Sequence, residues 1–550
     1  MTEAARVTAE AVTFGQQLLK AIFPHEITQP RLLETHISWV ILTGAWAYKV
    51  KKPVRFDFLD YSTPELRERF CLRELEINQA WAPQLYRDVV PIFAHGEGTE
   101  AAYRFGDCGE SPGDGERLVD HAVRMVEFPQ SALLSQRLTA GQVSPMQMQS
   151  LGRSLAELHQ RLPEVPGHRD LVRQGVIGPA WDNLDYLRQH LAADDPDRAR
   201  CEQIREWTGE ELGRLEALLE SRARSGRVRA CHGDLHLDNL LLLDDRFVPF
   251  DGIEFNDSLR DIEGWNEIAF LAMELSEHGF AGHSRRLIDA YAEASDDYEG
   301  LKLLRFFLVY RAMVRAKVDL IRQEQLAIGL RDRAADGRGE DAASQGDPPS
   351  PREQQVAETA PQLSAGGKRY LDYALQVLRP GAPELWLTHG LSGSGKSTWS
   401  GKLVERRGYV RLRSDVQRKR LAGLDPWSPS DPADASWLYG RELTSRTYAR
   451  LSELADEVLR AGRGVVIDAA FLTQAQRQPL LDLAAGADVP AGILVCTATD
   501  EELRRRLNGR RGDPSDATVE VLRGQRAQVE PPTADECDRI VSAETWEELR

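Results

Sequence analysis

The spacing of apolar and polar residues divides the chain into three stretches. Up to about residue 130 the apolar positions alternate as strands do, in ETHISWVIL (34–42), AWAYKVKK (45–52), VVPIFAH (89–95), AYRF (102–105) and HAVRMVEF (121–128). Thr43-Gly44 supplies a turn between the first two. Between the second and third, PELRERFCLRELEINQAWAP (64–83) predicts a helix, with Thr63 as N-cap and Pro64 in the first turn. From about 131 to 330 helical spacing dominates, interrupted near 240–252 by LLLL and FVPF around an Asp244-Asp245 turn. Residues 331–365 hold no aromatic side chain and few branched aliphatics, with clustered Gly, Pro, Asp and Ser, which predicts a linker or disordered loop. Helical spacing resumes at KRYLDYALQVLRP, with Tyr370, Ala374 and Val377 on one face. After residue 383 strands and helices alternate, the sign of a parallel α/β sheet. The expected division is therefore 1–380, a small β-rich lobe followed by a larger helical one, and 381–550.

A length of 550 residues allows two large domains, and 42% hydrophobic with 28% charged residues excludes wholesale disorder. No apolar run approaches the 18 residues of a spanning helix, and the first residues, MTEAARVTAEAV, lack the apolar core of a secretory signal. Six scattered cysteines (Cys71, Cys108, Cys201, Cys231, Cys496, Cys537) form no C-x-x-C pair, so a reducing, cytoplasmic setting is expected, with neither disulfide scaffold nor zinc ribbon. The net charge of -17 argues against broad nucleic-acid binding. Residues 381–550 hold 24 Lys+Arg and 26 Asp+Glu, a net of -2, which leaves -15 on the first 380. That acidity suits a cationic substrate and equally serves solubility.

The segment CHGDLHLDNLLLLDDRFVPFDGIEF carries the first chemistry. Asp234 and Asn239 stand five apart, and the expected hairpin returns Asp251 to Asn239. Phosphoryl transfer needs this set: one carboxylate for the acceptor hydroxyl, a carboxamide and a second carboxylate to hold Mg²⁺ against the phosphates. HGDLHLDN resembles the catalytic loop of the aminoglycoside phosphotransferase branch of the protein-kinase-like fold, in which His-Gly-Asp replaces His-Arg-Asp. The resemblance covers roughly residues 30–330 and implies an α+β bilobal fold. It implies Asp234 as catalytic base, Asn239 and Asp251 as metal ligands and His232 as a brace of the loop. Lys49, in Ala47-Tyr48-Lys49, matches the phosphate-binding lysine and Glu74 its ion-pair partner, while His159 in LAELH matches a structural family feature. Lys51 and Lys52 compete with Lys49, Lys51 lying on the same strand face, and Glu76 competes with Glu74. His236 reads as a packing residue. There is no G-x-G-x-x-G before Lys49, so phosphate contacts are expected from a short loop near residues 36–38. Asp251 is followed by Gly252-Ile253, with no switch phenylalanine and no A-P-E motif after it, which points to a small-molecule kinase and away from a regulated protein kinase.

The second chemistry lies in ELWLTHGLSGSGKSTWS, a strand, then Gly390-x4-Gly395-Lys396-Ser397, then a helix. Such a loop wraps backbone N–H groups around phosphates, with Lys396 on the β/γ oxygens and Ser397 on Mg²⁺; Ser392, Gly393, Ser394 and Thr398 complete the expected nucleotide contacts. YVRLRSD (409–415) reads as a strand ending in Asp415, and GVVIDAAFL (464–472) as one ending in Asp468, in a Walker-B-like position for magnesium or as a strand cap. ELRRRLNGRRGDPSD follows as an arginine-rich helix and loop. The whole resembles small P-loop kinases of the gluconate-kinase, chloramphenicol-phosphotransferase and polynucleotide-kinase group. That implies Asp415 as the base on the acceptor hydroxyl and Arg504, Arg510 and Arg511 as lid residues reaching phosphates. The expectation is a bifunctional phosphotransferase that uses ATP and Mg²⁺ on small-molecule hydroxyls, with no membrane or nucleic-acid partner and no sign of its oligomeric state. Two alternatives stay open: a P-loop domain acting as an ATP-driven switch on the first domain, or as a polynucleotide 5′-kinase.

Overall fold

The computed structural model describes residues 14–27, 29–35, 37–56, 59–96, 101–166, 169–336, 362–428, 430, 435–509, 515, 517 and 519–546. In chain order, β1 (Arg31–Glu34), β2 (Ser38–Leu42) and β3 (Trp46–Lys51) lead into α1 (Pro64–Trp81). Three more strands follow, β4 (Tyr86–His95), β5 (Ala102–Phe105) and β6 (Glu116–Val126), then α2 (Pro145–Arg161). The hairpin β7 (Leu240–Leu243) and β8 (Arg246–Pro249) precedes α3 (Gly264–Glu277), α4 (Ala281–Ser295), α5 (Leu301–Asp336) and α6 (Ala365–Val377). The last stretch alternates β9 (Leu385–His389), α7 (Lys396–Arg407), β10 (Val410–Arg413), α8 (Ser414–Leu421), α9 (Arg441–Arg460), β11 (Val465–Asp468), α10 (Gln474–Gly486), β12 (Ala491–Val495), α11 (Asp500–Asn508) and β13 (Ile540–Ser542).

These elements form two compact units. The first comprises Met1–Val143, Leu162–Leu271 and Leu308–Gln376; the second comprises Ser144–Arg161, Ala272–Phe307 and Val377–Arg550. The second unit thus draws two stretches from well ahead of residue 380.

In the first unit an antiparallel sheet runs β1-β2-β3-β6-β4-β5. Both faces are covered: Trp39, Ile41, Tyr48 and Val50 pack into one core, Leu42, Ala47, Val123 and Met125 into another that includes Cys71 of α1. The period of two puts Lys49 and Lys51 on the Ala47 side, facing α1. Thr63 caps α1 by accepting from the Leu66 N–H, and Pro64 occupies its first turn. The single strand expected over 34–42 is two strands around a turn, because Thr35 Oγ1 accepts the N–H groups of Ile37 (3.4 Å) and Ser38 (2.9 Å) and folds the chain back. His36 lies outside the described residues. The β7–β8 hairpin turns at Asp244 and Asp245, both with positive φ (47° and 59°), the twist a two-residue hairpin demands.

The second unit holds a parallel sheet in the order β10-β11-β9-β12-β13. The strand expected to end in Asp415 stops at Arg413, and Asp415 lies in the first turn of α8. The two ends of the stretch expected as a linker belong to structured elements. Arg and Ala favour helix, and α5 runs to Asp336. Residues 337–361 lie outside the described ones, but Leu363 is buried again and Ser364 bonds Asp319 through both N–H (2.8 Å) and Oγ (2.6 Å). α6 then buries Tyr370, Leu371 and Ala374. Among the described residues no helix is long and apolar enough to cross a membrane.

Candidate active sites

α1 turns polar side chains inward at Arg67, Glu74 and Asn78, in register with the sheet above. Lys49 Nζ donates to Glu74 Oε1 (2.9 Å) and to Asp251 Oδ1. Lys51 Nζ donates to the other oxygen, Glu74 Oε2 (2.7 Å), to Tyr61 Oη (3.3 Å) and to Glu254. One buried carboxylate therefore serves two lysines, and only Lys49 reaches Asp251. Burial would lower the Lys49 ammonium; Asp251 and Glu74 outweigh it and raise it well above its ordinary value. Glu76 is exposed and pairs with Arg73, and Lys52 pairs with Glu34, so neither enters this cluster.

The loop carrying Asp234 is held by backbone. The N–H groups of His232 (3.1 Å) and Gly233 (2.7 Å) donate to the two oxygens of the fully buried Glu267, and Arg311 Nη1 donates to Gly233 O (3.1 Å). Gly233 has φ +86°, and a Cβ there would meet Leu259 O at 2.9 Å, so only glycine fits. His232 Nε2 donates to Phe250 O (2.9 Å), which leaves Nδ1 without a proton or a partner; burial keeps this imidazole's pKa below its usual value. Asn78 completes the frame by accepting the Gly252 N–H (2.8 Å), and Tyr86 Oη accepts that of Asp251 (3.0 Å).

Asp234, Asn239 and Asp251 converge on this frame. Asn239 Nδ2 donates to Asp234 O (3.0 Å) and Oδ2 (3.2 Å), which fixes the amide orientation and leaves Oδ1 as its acceptor. Phe250 N donates to Asn239 O (3.0 Å), so the hairpin delivers Asp251, 40% of its side chain exposed, beside that amide. His236 Nδ1 accepts the Asp238 N–H (3.2 Å), which puts the ring proton on Nε2, 3.5 Å from Asp234 Oδ2. Burial would raise the Asp234 carboxyl; the His236 imidazole and its hydrogen bond, with Arg315 and His232, hold it well below the usual carboxylate range. An amide oxygen next to a half-exposed carboxylate is a donor set that fits magnesium. His159 bonds Tyr291 Oη (3.0 Å), in the second unit.

The second cluster surrounds a cavity of about 1010 Å³ lined by Lys396, Ser397, Thr398, Asp415, Asp468 and Arg506, among others. Gly390, Gly393 and Gly395 have φ of +151°, +88° and +93°, and a Cβ on Gly390 would meet Cys496 O at 2.3 Å. The loop bends as only glycines allow, and Ser394 Oγ is buried in it without a partner, a cradle that fits a phosphate. Lys396 Nζ donates to Gly390 O (2.9 Å) and Leu391 O (2.8 Å), and Ser392 N donates to Gln525 Oε1 (2.9 Å). Asp468 Oδ2 accepts from Ser400 Oγ (3.2 Å), and with Ser397 it offers the hard oxygen donors that suit magnesium. Asp415 accepts from Arg418 Nη1 (2.8 Å) and Tyr439 Oη (3.4 Å).

Of the three expected lid arginines, one is among the described residues. Arg504 is exposed and does not line the cavity; Arg510 and Arg511 lie outside the described residues. Among the described residues of this segment Arg506 reaches the loop, donating to Gly393 O (3.1 Å). On α11 the buried positions are Leu503 and Leu507, and Arg506 lies beside that face.

Residues 111–304 match the model of the phosphotransferase enzyme family, and residues 385–532 match that of an AAA domain. The chain joins a phosphotransferase-family domain to a P-loop domain. The phosphotransferase match spans Asp234, Asn239 and Asp251 but begins after Lys49 and Glu74. An uncharacterized protein of Mycobacterium tuberculosis (strain ATCC 25618 / H37Rv) is 29% identical over 495 residues, 89% of this chain and 88% of its own length. Among solved structures, a choline/ethanolamine kinase family protein from Mesorhizobium loti is 15% identical with a TM-score of 0.34, covering 67% of this chain and 99% of its own. A gluconokinase from Sinorhizobium meliloti 1021 is 22% identical with a TM-score of 0.22, covering 31% of this chain and 90% of its own. The phosphotransferase domain also contains residues that motif reading did not find. Glu267 had a signal, an acid in the first turn of the apolar helix GWNEIAFLAMEL; Tyr61 and Glu254 had none, since nothing local marks a partner of Lys51.

Proposed function

We propose that each domain transfers the γ-phosphoryl group of ATP to a hydroxyl of a small molecule. Support comes above all from the convergence of Asp234, Asn239 and Asp251 beside the Lys49–Glu74 pair, with Asp415, Lys396 and Asp468 around one cavity as its counterpart. In the phosphotransferase domain Asp234 accepts and orients the acceptor hydroxyl, and Lys49 neutralises phosphate oxygens. A carboxylate this acidic is a weak base, which suffices because a loose transition state builds little positive charge on the attacking oxygen. Asn239 and Asp251 in the first site, and Ser397 and Asp468 in the second, would hold Mg²⁺, which when bound supplies charge stabilisation for the phosphates. In the P-loop domain the loop N–H groups and Lys396 bind the triphosphate, Arg506 closes over it, and Asp415 receives the hydroxyl proton. The cavity favours an acceptor over a switch, because Asp415 lines its wall together with Lys396 and Ser397.

The test is a mass-spectrometric survey of phosphorylated products from a metabolite pool with MgATP, using the full chain. Asp234→Asn should remove one product class and Asp415→Asn another, each slowed by ~10² to 10⁴-fold. Release of inorganic phosphate alone, with no phosphorylated small molecule from either site, would refute the proposal.

A further inference from the structure

Helix α4 lies a hundred residues ahead of the P-loop, within the stretch that matches the phosphotransferase family, yet it packs as part of the second unit. Its acids Asp289 and Glu293 stand at i and i+4 on one helical face, and Asp296, with φ 52°, caps its C-terminal end. That face meets β10 and α8. β10 is the edge strand of the parallel sheet, and its outward Arg411 N–H, which would otherwise be left unpaired, donates to Asp289 Oδ1 (2.7 Å). The Arg411 guanidinium lies 3.5 Å from Asp289 Oδ2 and donates through Nη1 to Ser397 O (3.3 Å), the carbonyl of the P-loop serine. Arg413 grips Glu293 with two parallel bonds, Nε to Oε1 and Nη2 to Oε2, both groups buried. Arg420 Nη1 (2.8 Å) and Gln417 Nε2 (3.2 Å) both donate to Asp296 Oδ1. At the other end of α4, Arg285 donates to the last carbonyls of α7, Glu405 O (2.8 Å) and Arg406 O (2.7 Å), and Arg286 pairs with Glu405 (2.8 Å).

Two of the elements that carry the second site are therefore clamped from α4: α7, which begins with Lys396 and Ser397, and the β10–α8 junction, which presents Asp415 two residues after Arg413. We infer that Asp289 and Glu293 are positioning residues of the P-loop site, Asp289 acting through Arg411 on Ser397 and Glu293 through Arg413 on Asp415. The inference rests on the proposed role of Asp415. A P-loop domain cut at residue 381 lacks these carboxylates, so its active geometry is completed by a segment that sequence matching assigns to the other domain.

The experiment uses the full chain with Asp234→Asn in the background and follows phosphate release from MgATP without acceptor. Nucleotide is held by the loop glycines and Lys396, whereas Glu293 holds Arg413, the strand end that leads into Asp415. Glu293→Gln should therefore lower kcat by ~10- to 100-fold, the cost of a misplaced catalytic group, while KM for MgATP stays within about twofold. Glu293→Asp keeps the charge and should recover part of kcat. The double variant Glu293→Leu, Arg413→Met strands no buried charge and should fold, yet remain slow. Wild-type kcat in folded Glu293→Gln or in the double variant overturns the inference. So does a parallel fall in kcat, nucleotide affinity and melting temperature across all three, which would mean a fold-supporting role alone. Asp415→Asn in the same background separates the two levels. If it turns over MgATP at the wild-type rate and still forms the second product class in the mass-spectrometric survey, the proposed role of Asp415 falls and this inference with it. If it is slow while the Glu293 variants are fast, only the inference fails.

Discussion

Burial alone would push the Glu74 carboxyl up, but Lys49 and Lys51 outweigh it and bring its pKa from an ordinary 4.5 down to about 2. Unfolded, the same carboxyl titrates near its ordinary value. The stabilisation it contributes is therefore complete above pH 4.5 and is lost as the pH falls toward 2. Wild-type melting temperature should drop steeply across that window, and Glu74→Gln, already less stable at neutral pH, should show a shallower drop there. Parallel slopes for the two proteins would remove Glu74 from the acid response. Reading the sequence reached half of this arrangement. Strand alternation puts Lys49 and Lys51 on one face, but it carries no distance, so it does not say which lysine meets Asp251. Glu254 lies 203 residues from Lys51, and only the folded chain brings them together.

At the scale of elements, the P-loop turn was legible because its chemistry is local: eight consecutive residues set the glycine conformations, the lysine and the start of α7. Gly390→Ala tests how tightly the turn is built. Its Cβ would sit 2.3 Å from Cys496 O and 2.7 Å from Ser394 Oγ, at φ +151°. Strain of this kind costs ~1–3 kcal/mol before any clash is relieved. Nucleotide titration of the full chain should show loss of the C-terminal site with the N-terminal one retained. Gly486→Ala, at the end of α10 with open space around it, should leave both sites intact. Titration curves for Gly390→Ala that match the wild type would show that the turn tolerates a side chain. The lid was less legible for a reason of phase. Three successive arginines at 504–506 look equivalent in sequence, and only the packing of Leu503 and Leu507 decides that Arg506 is the one beside the loop.

For the whole molecule, composition and motifs found the two chemistries but not the division of packing. A change in composition marks where chain is poor in apolar side chains; it is silent on α2 and α4, amphipathic helices that pack on each other in the second unit. A fragment of residues 381–550 should therefore behave worse than its motif content suggests. Its freed arginines regain water, so the cost is below the ~3–5 kcal/mol of a charge stranded in a core. The edge strand β10, however, loses its cover and becomes a template for association. Light scattering at matched concentrations should show the fragment aggregating or melting well below the full chain. A monodisperse fragment with the full chain's melting temperature would mean that α4 adds nothing to its stability.

Asp289 and Arg411 are 122 residues apart, and the ribosome makes the carboxylate first. At ~5–20 residues per second, Asp289 is in place ~6 to 24 s before its arginine emerges. During that interval α4 carries acids whose partners do not yet exist. A nascent P-loop sheet, once its second strand appears, meets a finished surface of fixed charge to dock against. Order of synthesis thus favours assembly of the C-terminal site onto its own chain, and the reverse gene order would forfeit that advantage.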